Sequence, residues 1–523
     1  MTASQVNRRS FLAQVGQGML VAGLGHSTAA HLGLTSLRAD DVSPQRLRFP
    51  GHDRLVDLLQ STPVERFLPA VVAELRAGTT LQTLVTAAAL ANARAFGGED
   101  YVGFHTFMAF MPALRMAQQL PPEQQALPVL KVLYRQAARL EESGHHDHDT
   151  LTPVTASGSA PGGSAGSSAD DIRNLAHQQN RTAADQLLSD VSRLSPETAW
   201  NSLLPTVCEA PEVHRIVLAH RAWDMLELVG PVHADTMLRQ SLHYCIQLEP
   251  SRAKSSHNVS DRLAAIIADS FAGLRWTAAR TADDQWIASF TELLLSTPPE
   301  QAAAAAAAAL QEGFSPAAIS EAVSCAACQL VLRDPGRPPE WAQPNKPPGS
   351  VHGDSIGVHA SDTAHAWKHI VAFSDARNAH AAVILSVWCV ARDASIRPAS
   401  SRSPRPTAAA SRQITATDPQ ALLSLLDSAI RGQQQDLACA VADRCLSAGI
   451  TSDDLFGRLL ACACSEDGAL HAEKYYWTTR DEYLQLRPAF RNQQLVALAR
   501  VSASQYGSPA PGLQQARELL QQG

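Results

Sequence analysis

Two segments of this chain repeat each other, which restricts the fold to architectures built from two equivalent halves. Residues 58–65 read LLQSTPVE and residues 293–300 read LLLSTPPE, and the alignment continues without a gap as far as Gly78 and Gly313. Self-similarity of this kind is the sequence signature of a repeated structural unit. We therefore predict an internal duplication with two tandem, pseudo-symmetric halves.

The repeat places histidines at matched positions. Gly103-Phe-His105 aligns with Gly357-Val-His359, and the stretch before His214 aligns with the stretch before His471. All of these histidines stand near predicted helix starts, where the helix dipole favours the neutral imidazole that binds metals. Imidazole donors without thiolate suit iron, copper or zinc. We predict these residues as metal ligands: His105, His214, His359 and His471.

Three further residues are predicted to be catalytic. His220 and His365 each lie six residues after a matched histidine, and a tryptophan follows each of them closely. Lys474 lies three residues after His471 and therefore on the same face of the helix, where it could act as an acid or a base. The open alternative is packing, because a helical histidine beside a tryptophan is often a core residue.

The pattern of the chain predicts an all-α fold, since no run shows a sustained two-residue alternation of apolar residues. Thr62-Pro-Val-Glu65 and Thr297-Pro-Pro-Glu300 each offer a hydroxyl N-cap, a proline at the first helical position and a glutamate that can close a capping box. Gly78 and Gly313 then stand where a helix should end. The nine cysteines fall mostly in apolar helical runs, which predicts buried free thiols.

Composition divides the chain further. Two stretches rich in Gly and Ser or in Ser and Pro have too little apolar content to order themselves, and we predict both as disordered linkers. The first includes the tract His145-His-Asp-His-Asp149, which we interpret as solvated. The predicted segments are a signal peptide at 1–30, first-half units at 45–143 and 172–280, second-half units at 281–393 and 419–523, and linkers at 144–171 and 394–418.

The N-terminus predicts export. Asn7-Arg-Arg-Ser-Phe-Leu12 precedes a weakly apolar stretch that ends in small residues near Ala30, which is typical of a twin-arginine signal. We expect a periplasmic or otherwise exported protein, and folding before export fits a protein that acquires a cofactor first. No later segment reaches the roughly 18 apolar residues of a membrane helix, so we predict no integral membrane segment in the mature chain. The net charge of -7 without a basic stripe argues against a nucleic-acid partner.

Several motifs carry a resemblance to known proteins. They are Val102-Gly-Phe-His105, His214 through Trp223, Gly357 through His365, and His471-Ala-Glu-Lys474. With these the chain resembles a largely uncharacterised group of all-helical bacterial proteins exported by the twin-arginine route. It is similar, much more loosely, to the questin-oxidase-like proteins, which are associated with oxidative ring cleavage of aromatic polyketides. That similarity implies oxidation as the first reaction class to consider.

Together these features predict an exported metal-dependent enzyme, an oxidoreductase whose histidine cluster is shared by the two halves and acts on a small-molecule substrate. The alternative is a non-catalytic helical scaffold or binding module in the periplasm, in which the same histidines pack and form hydrogen bonds. The two hypotheses differ in one geometric expectation. Only the enzyme requires the matched histidines to converge.

Overall fold

Helices make up the regular structure of this protein, as a computed structural model shows for residues 46–155, 165–252, 254–273, 280–396 and 402–522. The β-bridges in these ranges, Gln343 with Lys346 and Glu466 with Pro509, are isolated and build no sheet. The predicted all-α fold is confirmed. The predicted signal peptide at 1–30 lies outside the described residues.

The first part of the chain folds into helices joined mostly by short turns. They are α1 (Asp53–Ser61), α2 (Val64–Arg76), α3 (Leu81–Phe96), α4 (Tyr101–Ala117), α5 (Ala126–Ser143), α6 (Ala165–His177), α7 (Arg181–Leu194), α8 (Pro196–Cys208), α9 (Val213–Asp224), α10 (Leu226–Val229), α11 (Ala234–Arg252) and α12 (Asp261–Ala272).

The second part of the chain also folds into helices. Its helices are α13 (Asp284–Ser296), α14 (Pro299–Gln311), α15 (Pro316–Arg333), α16 (Ile356–Phe373), α17 (Ala376–Ile396), α18 (Ala408–Ser411), α19 (Pro419–Arg431), α20 (Gln435–Ser447), α21 (Ser452–Ser465), α22 (His471–Gln485), α23 (Pro488–Gln505) and α24 (Leu513–Gln521). Helices α1–α5 and α13–α17 precede the two predicted linkers. The internal duplication into two pseudo-symmetric halves stays a prediction.

The predicted helix ends agree with the structure, whereas a predicted helix start does not. Gly78 and Gly313 both adopt positive φ angles, +96° and +93°, as expected of residues that end a helix. The predicted capping box at Thr62 is wrong, because Pro63 is the N-cap of α2 and no side chain caps that helix. The Thr62 hydroxyl instead donates to the Leu58 carbonyl at 2.6 Å. Thr62 therefore closes α1 rather than opening α2.

Within the described residues, both predicted linker ranges contain backbone hydrogen bonds and helical segments. The backbone N–H groups of Thr150 and Leu151 donate to the carbonyl of Arg94 at 2.8 and 3.1 Å, and Asp149 accepts from Arg46 at 3.0 Å. Helix α6 begins within the first predicted linker, and α18 lies within the second. Polar contacts with buried Arg94, rather than apolar burial, hold the His-rich tract in place, which a composition argument misses.

Two further predictions concern the core. All nine cysteines are free thiols, and eight of them are buried. Among the described helices, α17 is long and apolar enough to cross a membrane by length and composition, but 72% of its apolar window is buried inside the protein. That burial is typical of a core helix and is consistent with a mature chain that has no integral membrane segment.

Four helices from four different parts of the chain meet at the centre. Helix α4 packs against α9, α9 against α16, α16 against α22, and α22 against α4. The arrangement is therefore a closed ring of helices. It carries all seven residues that the sequence predicts for the site.

Candidate metal centre and a second histidine cluster

Each matched histidine lies near the start of one of the four central helices, as predicted. His214 and His471 are the second and first residues of α9 and α22, and His359 and His105 are the fourth and fifth residues of α16 and α4. Glu212 caps α9 by accepting from the backbone N–H groups of residues 214 and 215 at 3.0 and 2.6 Å. These starts place all four side chains at the same level of the helix ring.

The glycines that precede two of these histidines allow close helix packing. A Cβ atom at Gly103 would lie 2.6 Å from the ring of Phe96, and one at Gly357 would lie 2.7 Å from the backbone of Val331. Both distances are too short for real contacts, so a side chain at either position would push its helix outward. The matched Gly-x-His motif thus sets the depth at which α4 and α16 carry their histidines.

The four side chains form a closed ring, which we call the histidine ring. Successive ring centroids are 4.8, 5.5, 5.2 and 5.4 Å apart, for the pairs His105–His214, His214–His359, His359–His471 and His471–His105. The Nε2 atoms of His359 and His471 are 3.1 Å apart. The four residues that the sequence predicts as metal ligands are therefore neighbours in the structure, while their role as ligands stays a prediction.

Hydrogen bonds at Nδ1 fix the orientation of three of these imidazoles. Nδ1 of His105 donates to the Tyr101 carbonyl at 2.7 Å, and Nδ1 of His471 donates to the Ala469 carbonyl at 3.0 Å. Nδ1 of His214 donates to Glu212 at 3.1 Å. A neutral imidazole that donates from Nδ1 keeps a free lone pair on Nε2, which is the arrangement of most metal-bound histidines.

The inward nitrogens lack other partners. Among the described residues, Nε2 of His105 and Nε2 of His214 are both buried without a hydrogen-bond partner. A buried polar atom that forms no hydrogen bond is costly, so such atoms call for an explanation, and an ion that they bind is one. The chemistry of these donors fits a metal, but in the described structure no three of the four histidines bring ligand nitrogens within 4.8 Å of one another.

Burial keeps the imidazoles of His105, His359 and His471 neutral. It lowers the pKa of His105 and of His471 well below the usual range, and the positive charge of Lys474 acts in the same direction. For His359, burial and the neighbouring His214 lower the pKa to about 3. Neutral imidazole is available as a ligand across the physiological range of pH.

Aromatic rings cover one side of the histidine ring. The ring of Tyr101 lies 4.4 Å from that of His105, and the ring of Phe104 lies 4.9 Å from His105 and 5.5 Å from His214. Tyr244 donates its hydroxyl to Glu212 at 2.8 Å, which holds that carboxylate against α9. The histidine ring is therefore largely shielded from water.

Lys474 is buried one helical turn beyond the histidine ring. Burial lowers its pKa to about 8, although the nearby carboxylate of Asp362 acts in the opposite direction. Asp362 itself is buried, with Oδ1 accepting from Thr478 at 3.1 Å and Oδ2 without a partner in the described structure. A buried amine with a pKa near neutrality can exchange a proton with a bound molecule.

Of three carboxylates on or next to the helices that carry the histidines, Glu212 alone bonds to a member of the histidine ring. Glu473 pairs instead with Lys131 at 2.5 Å, and both side chains are fully buried. Asp224 pairs with Arg115 and Arg221, each at 3.2 Å. These two carboxylates are therefore paired with cations rather than with the histidines, and Lys131 and Arg115 come from distant parts of the chain.

The predicted catalytic residues His220 and His365 belong to a second group. Nε2 of His365 and Nε2 of His369 are 3.2 Å apart, and they lie 2.9 and 3.2 Å from Oδ2 of Asp481. The ring of His220 stacks on that of His369, with centroids 4.8 Å apart and planes 10° apart. We call His365, His369 and Asp481 the His–Asp cluster.

The His–Asp cluster has a strong internal electrostatic pattern. Burial lowers the pKa of His365 to about 3, helped by His369. Burial would raise the pKa of Asp481, but its hydrogen bonds to both histidines hold it well below the usual range. Among the described residues, Nδ1 of His365 and Nδ1 of His220 are buried without a hydrogen-bond partner.

Two members of this cluster were missed in the sequence. His369 follows His365 by four residues, so their shared helix face was readable as a ligand pair. Asp481 left no such signal, because it lies 116 residues from His365 and belongs to another helix. Only the packing of α16 against α22 brings it there.

Comparisons with known proteins give no relative for this arrangement, since no family model, curated protein or solved structure matches the chain. The resemblance to exported helical proteins and the looser similarity to questin-oxidase-like proteins therefore stay predictions. The site has to be interpreted from its own geometry.

Proposed function

We propose that the protein is an exported metal-dependent enzyme, an oxidoreductase, whose histidine ring holds an iron, copper or zinc ion. The observation that carries this proposal is the convergence of the ring. Four imidazoles from four helices face one another in a closed ring, and hydrogen bonds turn the Nδ1 atoms of three of them outward. Such outer hydrogen bonds are characteristic of metal-binding histidines.

The distance between the Nε2 atoms of His359 and His471 supports the same proposal. Metal–nitrogen bonds of about 2.0–2.1 Å place adjacent ligands about 2.9–3.4 Å apart at octahedral or tetrahedral angles. The 3.1 Å between Nε2 of His359 and Nε2 of His471 falls in that range. A direct hydrogen bond between these two rings gives the same distance, so the experiment has to distinguish the two.

A metal bound there would supply Lewis acidity or exchange electrons with a small-molecule substrate. Lys474 would hold or release a proton beside it, because its amine is buried and its pKa is lowered to about 8. Oxidation is the first class to test, on the strength of the loose similarity to questin-oxidase-like proteins. Localisation in the periplasm follows from the twin-arginine signal and is part of the proposal.

The experiment is elemental analysis of the full chain, purified without a His tag from a host with a working twin-arginine pathway. We expect near-stoichiometric metal in the wild type and a marked loss in His359→Ala, with helicity retained. His380→Ala is the matched control, because His380 is also buried in the second half but bonds to Ser270 at 2.7 Å, away from the ring. Metal content unchanged in His359→Ala would remove the histidine ring from the proposal.

A second control concerns the His-rich tract. His145→Ala and His148→Ala should leave the metal content unchanged, and they spare Asp149, which holds the tract to Arg46. Metal-loaded protein would then be assayed for oxygen uptake with phenolic compounds. Metal without any oxidation would favour the scaffold or binding-module alternative for the reaction.

A further inference from the structure

We infer that His365, His369 and Asp481 form a second metal site, a solvent-accessible two-histidine, one-carboxylate centre for a divalent transition metal. Neither the histidine ring nor its proposed function requires this site. The inference rests on the distances, burial and surroundings of the His–Asp cluster.

The three facing atoms form a compact triangle. Its sides are 2.9, 3.2 and 3.2 Å, between Nε2 of His365, Nε2 of His369 and Oδ2 of Asp481. Bonds of about 2.0–2.2 Å to one ion place neighbouring ligand atoms about 2.9–3.4 Å apart. Within the described ranges, this is the one set of three such residues whose ligand atoms all lie within 4.8 Å of one another.

Hydrogen bonding alone accounts for the triangle less well. Oδ2 of Asp481 also accepts from Gln485 at 2.6 Å, so it would have to accept from three donors at once. The two Nε2 atoms would face each other with a proton on each. A cation in the triangle would instead receive the lone pairs of both nitrogens and the charge of the carboxylate.

The neighbours hold the ligands in place. His220 is buried and stacks on His369, which fixes the plane of that imidazole. Lys368 donates to Glu482 at 3.0 Å and thereby ties α16 to α22 beside the cluster. These contacts make the cluster a built site rather than a chance meeting of surface groups.

The cluster differs from a purely structural site in being open. The side chains of His369 and Asp481 are 25% and 17% exposed, while that of His365 is 1% exposed. Two histidines and one carboxylate leave coordination positions free, as in non-haem iron oxygenases and catalytic zinc sites. Water or a small anion can therefore complete the coordination from the solvent side.

The two sites are near one another. His220 and His365 lie six residues beyond His214 and His359, which is about 9 Å along each helix axis. Helices α16 and α22 thus carry ligands of both sites, and α9 carries His214 of the ring and His220, which stacks on the cluster. A bound molecule that spans this distance would contact both.

The test is metal stoichiometry of the chelator-treated full chain, reloaded with Co(II) and then with Zn(II). We expect two equivalents in the wild type and one in Asp481→Asn, with the folded state checked by circular dichroism. His369→Ala gives the same test at a less buried position if Asp481→Asn does not fold. Asp453→Asn is the matched control, since this exposed carboxylate of α21 pairs with Arg480 of α22 at 2.8 Å and is not part of the cluster.

The outcomes separate this inference from the proposed function. One equivalent that is lost in His359→Ala but kept in Asp481→Asn would overturn the second site alone. One equivalent with the reverse pattern would support the second site and overturn the histidine ring as a metal centre. No bound metal in any form would overturn both.

Azide tests the openness of the site. In His359→Ala, where the His–Asp cluster alone should hold Co(II), azide should change the visible spectrum of the cobalt. A spectrum that azide does not change would overturn the solvent-accessible coordination.

Discussion

The histidine ring and the His–Asp cluster share helices α16 and α22 but differ in charge and in solvent exposure. The ring consists of four imidazoles, two of them almost fully buried, with aromatic rings over one side. The cluster has fewer imidazoles, one anionic carboxylate and a side chain that is 25% exposed. A closed, uncharged site holds an ion by the number and direction of its ligands, whereas an open, anionic site holds it by charge and keeps room for another molecule.

The contacts that orient the imidazoles also differ between the two sites. In the ring, the outer nitrogens of His105 and His471 bond to backbone carbonyls and that of His214 bonds to Glu212. All of these partners lie at or just before the start of the helix that carries the histidine. In the cluster, the shared carboxylate and the stacked His220 orient the imidazoles. A metal in the ring would therefore be held by several imidazoles, whereas a metal in the cluster would keep coordination positions open to water or a small anion.

The largest effect is expected from Glu212→Gln. Glu212 bonds to Nδ1 of His214, caps α9 and accepts from Tyr244, and glutamine retains most of this shape without the charge. Loss of such an outer partner weakens metal binding about 10- to 100-fold. We expect that loss at the ring and none at the cluster, measured by competition with a metal-binding dye. Equal losses at both sites would show that the two are not independent.

A somewhat smaller effect, on stability alone, is expected from His243→Gln. Burial opposes a charge on His243, but its bonds to Asp185 at 2.9 Å and to Glu99 at 3.2 Å outweigh burial and raise its pKa. We expect a loss of about 2 kcal/mol in the free energy of unfolding at pH 6. Metal content should stay unchanged at both sites, because this histidine has carboxylate partners but no converging ligands.

The pH dependence of that stability has a defined sign. A raised pKa means that the contribution of His243 is fully present below the unfolded value of about 6.5 and is lost as pH rises through the folded value. Urea unfolding of the wild type and the variant from pH 6 to 9 should therefore converge toward high pH. A difference that grows with pH would contradict the ion-pair account of this residue.

The smallest effect is expected from Lys474→Met. Lys474 acts electrostatically on three members of the ring, and a bound cation there would feel the same repulsion. Removing the charge should tighten metal binding at the ring by about 1 kcal/mol, or roughly fivefold. The gain should shrink above pH 8, because the pKa of Lys474 is about 8 and the wild-type amine then loses its charge. The cluster serves as the internal control, and weaker binding at the ring would contradict this electrostatic picture.

The sequence predicts the helical fold and the histidine ring because both leave local marks. Helix ends such as Gly78 and Gly313 follow from backbone conformation, and the matched Gly-x-His motifs follow from close packing. Asp481, the carboxylate partner of His365, leaves no such mark. Asp481 joins it only through the packing of two helices, and Glu473 is drawn away by Lys131 from another part of the chain. Long-range electrostatic competition of this kind is decided in three dimensions.

The closed ring of helices also sets the order in which the site can form. Its ligands come from widely separated parts of the chain, with His359 and His471 alone 112 residues apart. Contacts of such high sequence separation form late in folding, after the entropy of closing long loops has been offset by packing. The ring of imidazoles can therefore form only after all four of its helices have packed together. An ion held there would bind the fully folded protein and would stabilise it.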